Sequence, residues 1–223
     1  MGRVLQVIDY EEPSSGDNVY ISLDRDLQIA VYNLLEQEIA GIVYANIDNS
    51  ASDIPIPITD VYYALIYNNV IDFEKFEDVD ASPAERAVLD IFSARQDTVK
   101  SRLNGELNGP GATSFHELGD EDQDYFNYII DRLKKTSILV ESSIDTSDEV
   151  FQKWRDGDIS PQEYLNHAIA RNWIDITRFS VDEKYADSTE IYDALCTHIL
   201  EEIFYERDFS KLIYEYLIKG EAV

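Results

Sequence analysis

The sequence predicts a mainly α-helical protein: a helical bundle-like domain preceded by an N-terminal β-hairpin. Apolar residues recur at helical spacing from residue 24 onward, and two helix starts carry a capping box. Only the first 23 residues alternate in the manner of strands. Hydrophobic residues make up 44% of the 223 residues, which suits a globular core and exceeds what disordered chains carry.

The first predicted element is the β-hairpin. Residues 4–9 alternate in side-chain character, and residues 19–23 form a second β-prone run, Val-Tyr-Ile-Ser-Leu. Between them, residues 13–18 are rich in Pro, Ser, Gly, Asp and Asn, which favour turns. We therefore expect two strands joined by a long loop.

A helix is predicted next, from Asp24 to about Asn46. Its apolar positions at helical spacing are Leu27, Val31, Leu34, Leu35, Ile39 and Ile42. Residues 54–58 read Ile-Pro-Ile-Pro-Ile and are predicted to be extended, because each proline lacks an amide donor and restricts the residue before it. Thr59 is then the predicted N-cap of a short helix.

Two further helix starts have nearly the same sequence. Residues 82–85 read Ser-Pro-Ala-Glu and residues 160–163 read Ser-Pro-Gln-Glu, which is a capping box with proline at the first helical position. The first is predicted to open a helix to about Leu103. A flexible loop at 105–114 is predicted after it, because this segment contains three glycines and a proline. The loop would separate an N-terminal part, 1–104, from a C-terminal helical part, 115–223, or the whole chain, 1–223, forms one domain.

Five helices are predicted beyond this loop, at about 120–140, 147–155, 161–172, 188–206 and 209–218. The first has acids in its opening turn and Lys134 and Lys135 further along, which complements the helix dipole. Residues 156–160 resemble the start of a calcium loop. However, Pro161 and His167 occupy the positions where such a loop requires glycine and glutamate, so a turn between helices is predicted instead.

Charge is the strongest deviation from ordinary composition. The 45 acidic residues exceed the 18 basic ones, which leaves a net charge of −27, and 25 of the acids are Asp. An Asp-rich, Lys-poor chain suits concentrated salt, which screens self-repulsion. A net charge of −27 also disfavours direct binding to nucleic acid. The most basic helix carries four cations that are expected to pair with neighbouring acids: Arg86, Arg95, Lys100 and Arg102.

The search for catalytic chemistry gives no site. His167 lies four residues after Glu163, and His198 lies four residues before Glu202, so each pair is expected on one helix face. Carboxylate-bridged metal bundles need a different spacing, so no metal or cofactor is predicted. Cys196 lies in an apolar helical pattern and is predicted to be a buried structural residue.

A protein interface is the site that the sequence favours. The last helix is apolar on more than one face, which exceeds what one packing side requires. Tyr205, just before it, belongs to a cluster of tyrosines whose polar tips suit a partly wet interface. The predicted interface residues are Tyr205, Leu212, Ile213, Tyr214, Tyr216, Leu217 and Ile218.

Three functional hypotheses follow. The first is a non-catalytic interaction or assembly subunit that forms homo- or hetero-oligomers, in its concrete form a connector or neck component of a virus of a halophilic host. The second is an acidic mimic of nucleic acid that inhibits a DNA-binding or defence enzyme. The third is an enzyme of unknown class, whose only general bases near neutral pH would be His116, His167 and His198.

The expected location is the cytoplasm at synthesis, with the virion as the final place in the first hypothesis. A single cysteine excludes an internal disulfide. The opening residues lack the apolar core of a secretory signal, and no apolar run approaches the roughly 18 residues that span a bilayer. No membrane partner is therefore expected.

Overall fold

The computed structural model describes residues 24–181 and 186–220, and it confirms a mainly helical protein. Within those residues, extended pairing is limited to two isolated bridges, Ile47 with Ile56 and Leu139 with Ile174. The predicted hairpin at 4–23 lies outside the described residues. The helices are α1 Arg25–Asn46, α2 Ile58–Tyr67, α3 Pro83–Asn108, α4 Asp120–Lys135, α5 Glu149–Asp156, α6 Pro161–Ala170, α7 Ser188–Glu201 and α8 Arg207–Gly220.

The chain divides into two compact units between Ile56 and Pro57. The first unit contains α1, and the second contains α2 to α8. The segment 105–114, predicted as a loop between two parts, lies inside the second unit.

α1 begins and ends close to its predicted limits. The Asp24 side chain accepts hydrogen bonds from the backbone N–H groups of Asp26 (2.9 Å) and Leu27 (3.0 Å), which satisfies two amides that have no partner within the helix. After Asn46 the chain turns back, and the N–H of Ile56 donates to the Asn46 carbonyl (2.9 Å). The predicted extended conformation before Pro57 is therefore confirmed at Ile56.

Four predicted helix limits are wrong: the start of α2 and the ends of α3, α4 and α7. α2 begins one residue before Thr59, because the Pro57 carbonyl accepts the first helical bond, from the N–H of Val61 (3.4 Å). α3 continues past Leu103 to Asn108, and Leu107 is as fully buried as Leu103. The apolar face of α3 thus extends one turn beyond the predicted end.

α4 ends at Lys135 rather than near residue 140. Ser137 has a left-handed backbone with φ of 59°, which stops the helix. Leu139 then pairs with Ile174 as an isolated bridge and is fully buried. α7 likewise stops at Glu201, and the predicted last turns form a separate 3₁₀ helix, Ile203–Tyr205.

The core of the second unit is built around α3. This helix contacts α6, α7 and α8, while α8 also contacts α2 and α4. The buried residues of α3 are Phe92, Val99, Leu103 and Leu107, at spacings of seven, four and four that place them on one face. Aromatic residues fill much of the remaining volume, and the largest fully buried ones are Tyr125, Tyr164, Tyr214, Phe126, Phe204 and Phe209.

Both predicted capping boxes are confirmed. The hydroxyl of Ser160 accepts from the N–H of Glu163 (3.1 Å), and the Glu163 carboxylate accepts from the N–H of Ser160 (3.1 Å). Ser82 and Glu85 make the same two bonds at 3.3 Å and 2.7 Å. The surroundings differ, because Ser160 is buried and Ser82 is exposed.

We expect Ser160→Ala to lower the free energy of unfolding by about 1–2 kcal/mol, and Ser82→Ala by about 0.5 kcal/mol. Water can replace the lost acceptor at the exposed cap but not at the buried one. Urea unfolding followed by circular dichroism at one salt concentration measures both. Equal losses for the two variants would contradict this explanation.

Candidate functional site

The surface of α1 is the most unusual surface in the described residues. None of its 22 residues is buried. The described chain has eighteen exposed large hydrophobic side chains, and half of them lie on this one helix. They are between 46% and 82% exposed, and they are Leu27, Ile29, Val31, Tyr32, Leu34, Leu35, Ile39, Ile42 and Tyr44. Apolar side chains concentrated in this way mark an interaction site, whereas scattered ones need no explanation.

Four of these residues form a line along the helix, which we call the α1 seam: Tyr32, Leu35, Ile39 and Ile42. Their spacing of three, four and three residues is the spacing by which one helix packs into another. A shallow apolar concavity follows the same side of the helix. It is lined by Tyr32, Leu35, Glu36, Ile39, Ala40, Val43, Tyr44 and Ile47.

Charges are few on α1 and lie beside the seam. The helix has one base, Arg25 in its first turn, and three acids, Asp26, Glu36 and Glu38. Glu36 follows Leu35, and Glu38 precedes Ile39, so one acid lies on each side of the seam. Both are exposed. The site is therefore an apolar line with acidic edges.

The predicted interface on α8 is largely used within the chain. Ile213 and Tyr214 are buried, and the Tyr214 ring stacks on Phe92 with ring centres 4.0 Å apart. Because α8 contacts α2, α3 and α4, its several apolar faces have partners inside the second unit. Four other residues of the predicted interface are half-buried against the same core: Leu212, Tyr216, Leu217 and Ile218. Tyr205 is 51% exposed, and its hydroxyl accepts from Lys100 (3.1 Å).

The sequence predicts an interface on α8 and does not single out α1. The criterion applied to α8, apolar residues on more than one face, holds for α1 as well, and α1 is poorer in charge. What the sequence does not reveal is which of the two helices has its faces covered by neighbouring elements.

The three histidines lie in separate local contacts. Nδ1 of His116 lies 2.7 Å from the Gly157 carbonyl, and His198 is 3.2 Å from Glu202, as the four-residue spacing predicts. Glu163 and His167 lie four residues apart on α6, as expected, and Glu163 completes the Ser160 capping box. In residues 24–181 and 186–220, no group of three or more His, Cys, Asp or Glu side chains is arranged to hold a metal ion.

Cys196 is buried, as predicted. Burial raises the pKa of its thiol to about 11, so the reactive thiolate is scarce at neutral pH. The turn at Gly157 is also confirmed, with a left-handed φ of 81° between α5 and α6.

Three of the four cations of α3 pair with acidic side chains, as predicted. Arg95 contacts Glu121 (2.7 Å), and Arg102 contacts Asp122 (2.7 Å). Lys100 contacts Glu201 at 2.9 Å. Arg86 instead donates to the carbonyl of Val79 (2.6 Å), so its predicted acidic partner is replaced by a backbone oxygen.

His167 pairs with the carboxylate of Asp148 at 2.9 Å. Asp148 also caps α5 by accepting from the N–H groups of Val150 (2.9 Å) and Phe151 (3.2 Å), and it contacts Arg171 at 3.0 Å. Burial alone would raise the pKa of this carboxyl. The hydrogen bonds to the ionised form outweigh burial and hold the pKa below its usual value.

We expect Asp148→Asn to be less stable than the wild type at neutral pH, with the difference shrinking as the pH falls below about 4. A lowered native pKa means that the ionised carboxylate stabilises the fold above its unfolded pKa. This contribution is lost as the pH falls through the native value. Urea unfolding of both proteins between pH 7 and pH 2 measures the difference, and Asp156→Asn on the same helix controls for the loss of one charge. A difference that stays constant down to pH 2 would show that ionisation of Asp148 is not its source.

None of the described helices is both long enough and apolar enough to cross a membrane. Comparison of the chain with protein-family models, with curated proteins and with solved structures finds no match.

Proposed function

We propose that this protein is a non-catalytic interaction and assembly protein, and that α1 is the element that binds its partner. The observation that carries the proposal is the α1 seam, four large apolar side chains in helix-packing register that are each more than half exposed. A 22-residue helix is about 33 Å long, which is ample for a helix-to-helix interface.

The energy of burial indicates how much of α1 a partner must cover. Complete burial of one fully exposed large apolar side chain stabilises by about 1.5–3 kcal/mol, and the four seam residues are 55–65% exposed, so covering them supplies roughly 4–7 kcal/mol. Association costs about 4–15 kcal/mol in lost freedom of motion. Burial of the seam alone therefore does not exceed the cost of association. Stable binding requires further contacts, to flanking residues such as Val31 and Val43.

A non-catalytic role is supported by the surroundings of the reactive side chains. Cys196 is buried, and His116, His167 and His198 each lie in a local contact with a backbone carbonyl or a carboxylate. The Asp-rich, Lys-poor composition supports a halophilic source, and in its specific form we propose a connector or neck component of a virus of such a host.

We expect Leu35→Asn combined with Ile39→Asn to weaken association by about 100-fold or more, because two buried apolar contacts are lost. The readout is molar mass by light scattering together with anisotropy of a labelled amphipathic helical peptide, with Leu at its a and d positions and Gln on the flanks. Wild type is expected to bind this peptide or a second copy of itself.

Val70→Asn combined with Val79→Asn is the matched control, because these exposed residues lie in the second unit. This variant is expected to bind like the wild type. A wild-type chain that stays at its monomer mass of 25.6 kDa and binds no peptide would refute the proposal.

A further inference from the structure

We infer that the partner of α1 is a basic amphipathic helix, with an apolar stripe flanked by Lys or Arg, rather than a second copy of this chain. This inference rests on the proposed function and assigns the class of partner. It follows from the positions of two acids, Glu36 and Glu38, relative to the seam.

The seam fixes a heptad register. If Tyr32 and Ile39 occupy a positions, Leu35 occupies a d position, Glu36 is at e and Glu38 is at g. Positions e and g flank the apolar contact and select the partner by charge. Both carboxylates are exposed in this structure, so a partner helix laid along the seam meets negative charge on both sides.

A second α1 in antiparallel orientation matches these edges poorly. The seam is centred between Leu35 and Ile39, and an antiparallel pair brings e positions against e positions and g positions against g positions. Glu36 then faces Glu36 of the second copy, and Glu38 faces Glu38. Like charges at such short range oppose association.

The parallel orientation gives no countercharge either. In a parallel pair, a g residue meets the e residue five positions further along the other helix. Glu38 therefore meets Val43 of the second copy, and Glu36 meets Val31. Neither orientation of a self-pair places a base beside either acid.

Charge beyond the seam points in the same direction. Residues 24–56 contain six acids and one base, Arg25, which gives a net charge of −5. A second copy would bring a further net charge of −5 to the contact, within a chain whose whole net charge is −27. A basic partner would neutralise this charge and, at low ionic strength, would also approach faster through electrostatic attraction.

The test uses three synthetic helical peptides of equal length, with Leu at every a and d position. Their e and g positions carry Lys, Gln or Glu. Binding to the full chain is measured by fluorescence anisotropy at nanomolar peptide. In 0.1 M salt we expect the Lys peptide to bind about tenfold more tightly than the Glu peptide, and in 1 M salt we expect this preference to fall to about twofold or less.

Glu36→Gln combined with Glu38→Gln should remove most of the preference for Lys while leaving the affinity for the Gln peptide unchanged. Asp78→Asn combined with Asp80→Asn removes the same charge outside α1 and should retain most of the preference.

Three results would overturn the inference, and they differ in what they imply for the proposed function. Equal affinity for all three peptides would leave α1 as the binding element but reject selection by charge. A wild-type dimer that Leu35→Asn with Ile39→Asn dissociates, and that excludes the peptides, would show that a second copy occupies the seam. Absence of both peptide binding and self-association would reject the proposed function together with the inference.

Discussion

An excess of carboxylates over cations is the constraint on which this structure depends. With 45 acids and 18 bases, most acids have no Lys or Arg available, so the fold uses other donors. Tyrosine hydroxyls are one source, and Tyr216 donates to Asp124 (2.5 Å). Tyrosines also add donors to carboxylates that already pair with an arginine: Tyr125 donates to Glu121 (2.7 Å), and Tyr128 donates to Glu206 (2.8 Å). Burial raises the pKa values of the Tyr125 and Tyr128 phenols, and their hydrogen bonds to Glu121 and Glu206 raise them further. The abundance of tyrosine that suggested an interface thus has a structural role inside the chain.

Backbone amides are the second source of donors, and they change how the aspartate content is understood. Asp24, Asp148 and Asp187 each cap a helix, and Asp145 and Asp175 each accept from the N–H two residues later. Aspartate is suited to these positions because its short side chain reaches the local backbone. Part of the preference for Asp over Glu therefore has a local structural cause, in addition to any adaptation to salt.

The parts of the fold that the sequence predicts well are those governed by local chemistry. The two Ser-Pro-x-Glu starts, the Asp24 start and the turn at Gly157 lie where predicted, because a cap or a left-handed residue acts within a few positions. Helix ends such as Asn108 depend on distant packing, and they were misplaced. The candidate site shows the same limit. α1 and α8 have similar apolar patterns, and only the tertiary contacts of α8 separate a covered helix from an uncovered one.

The exposed seam has a consequence for how the chain behaves in crowded solution. Every copy carries the same net charge of −27, so two copies repel each other before their apolar helices can meet. That repulsion is a barrier to association between copies. Added salt lowers the barrier by screening, and sulfate or phosphate also strengthens apolar association. If α1 binds the basic helix that we propose, the acidic surface and the apolar seam have complementary effects: the charge keeps the exposed seam of one copy away from that of another until the partner binds.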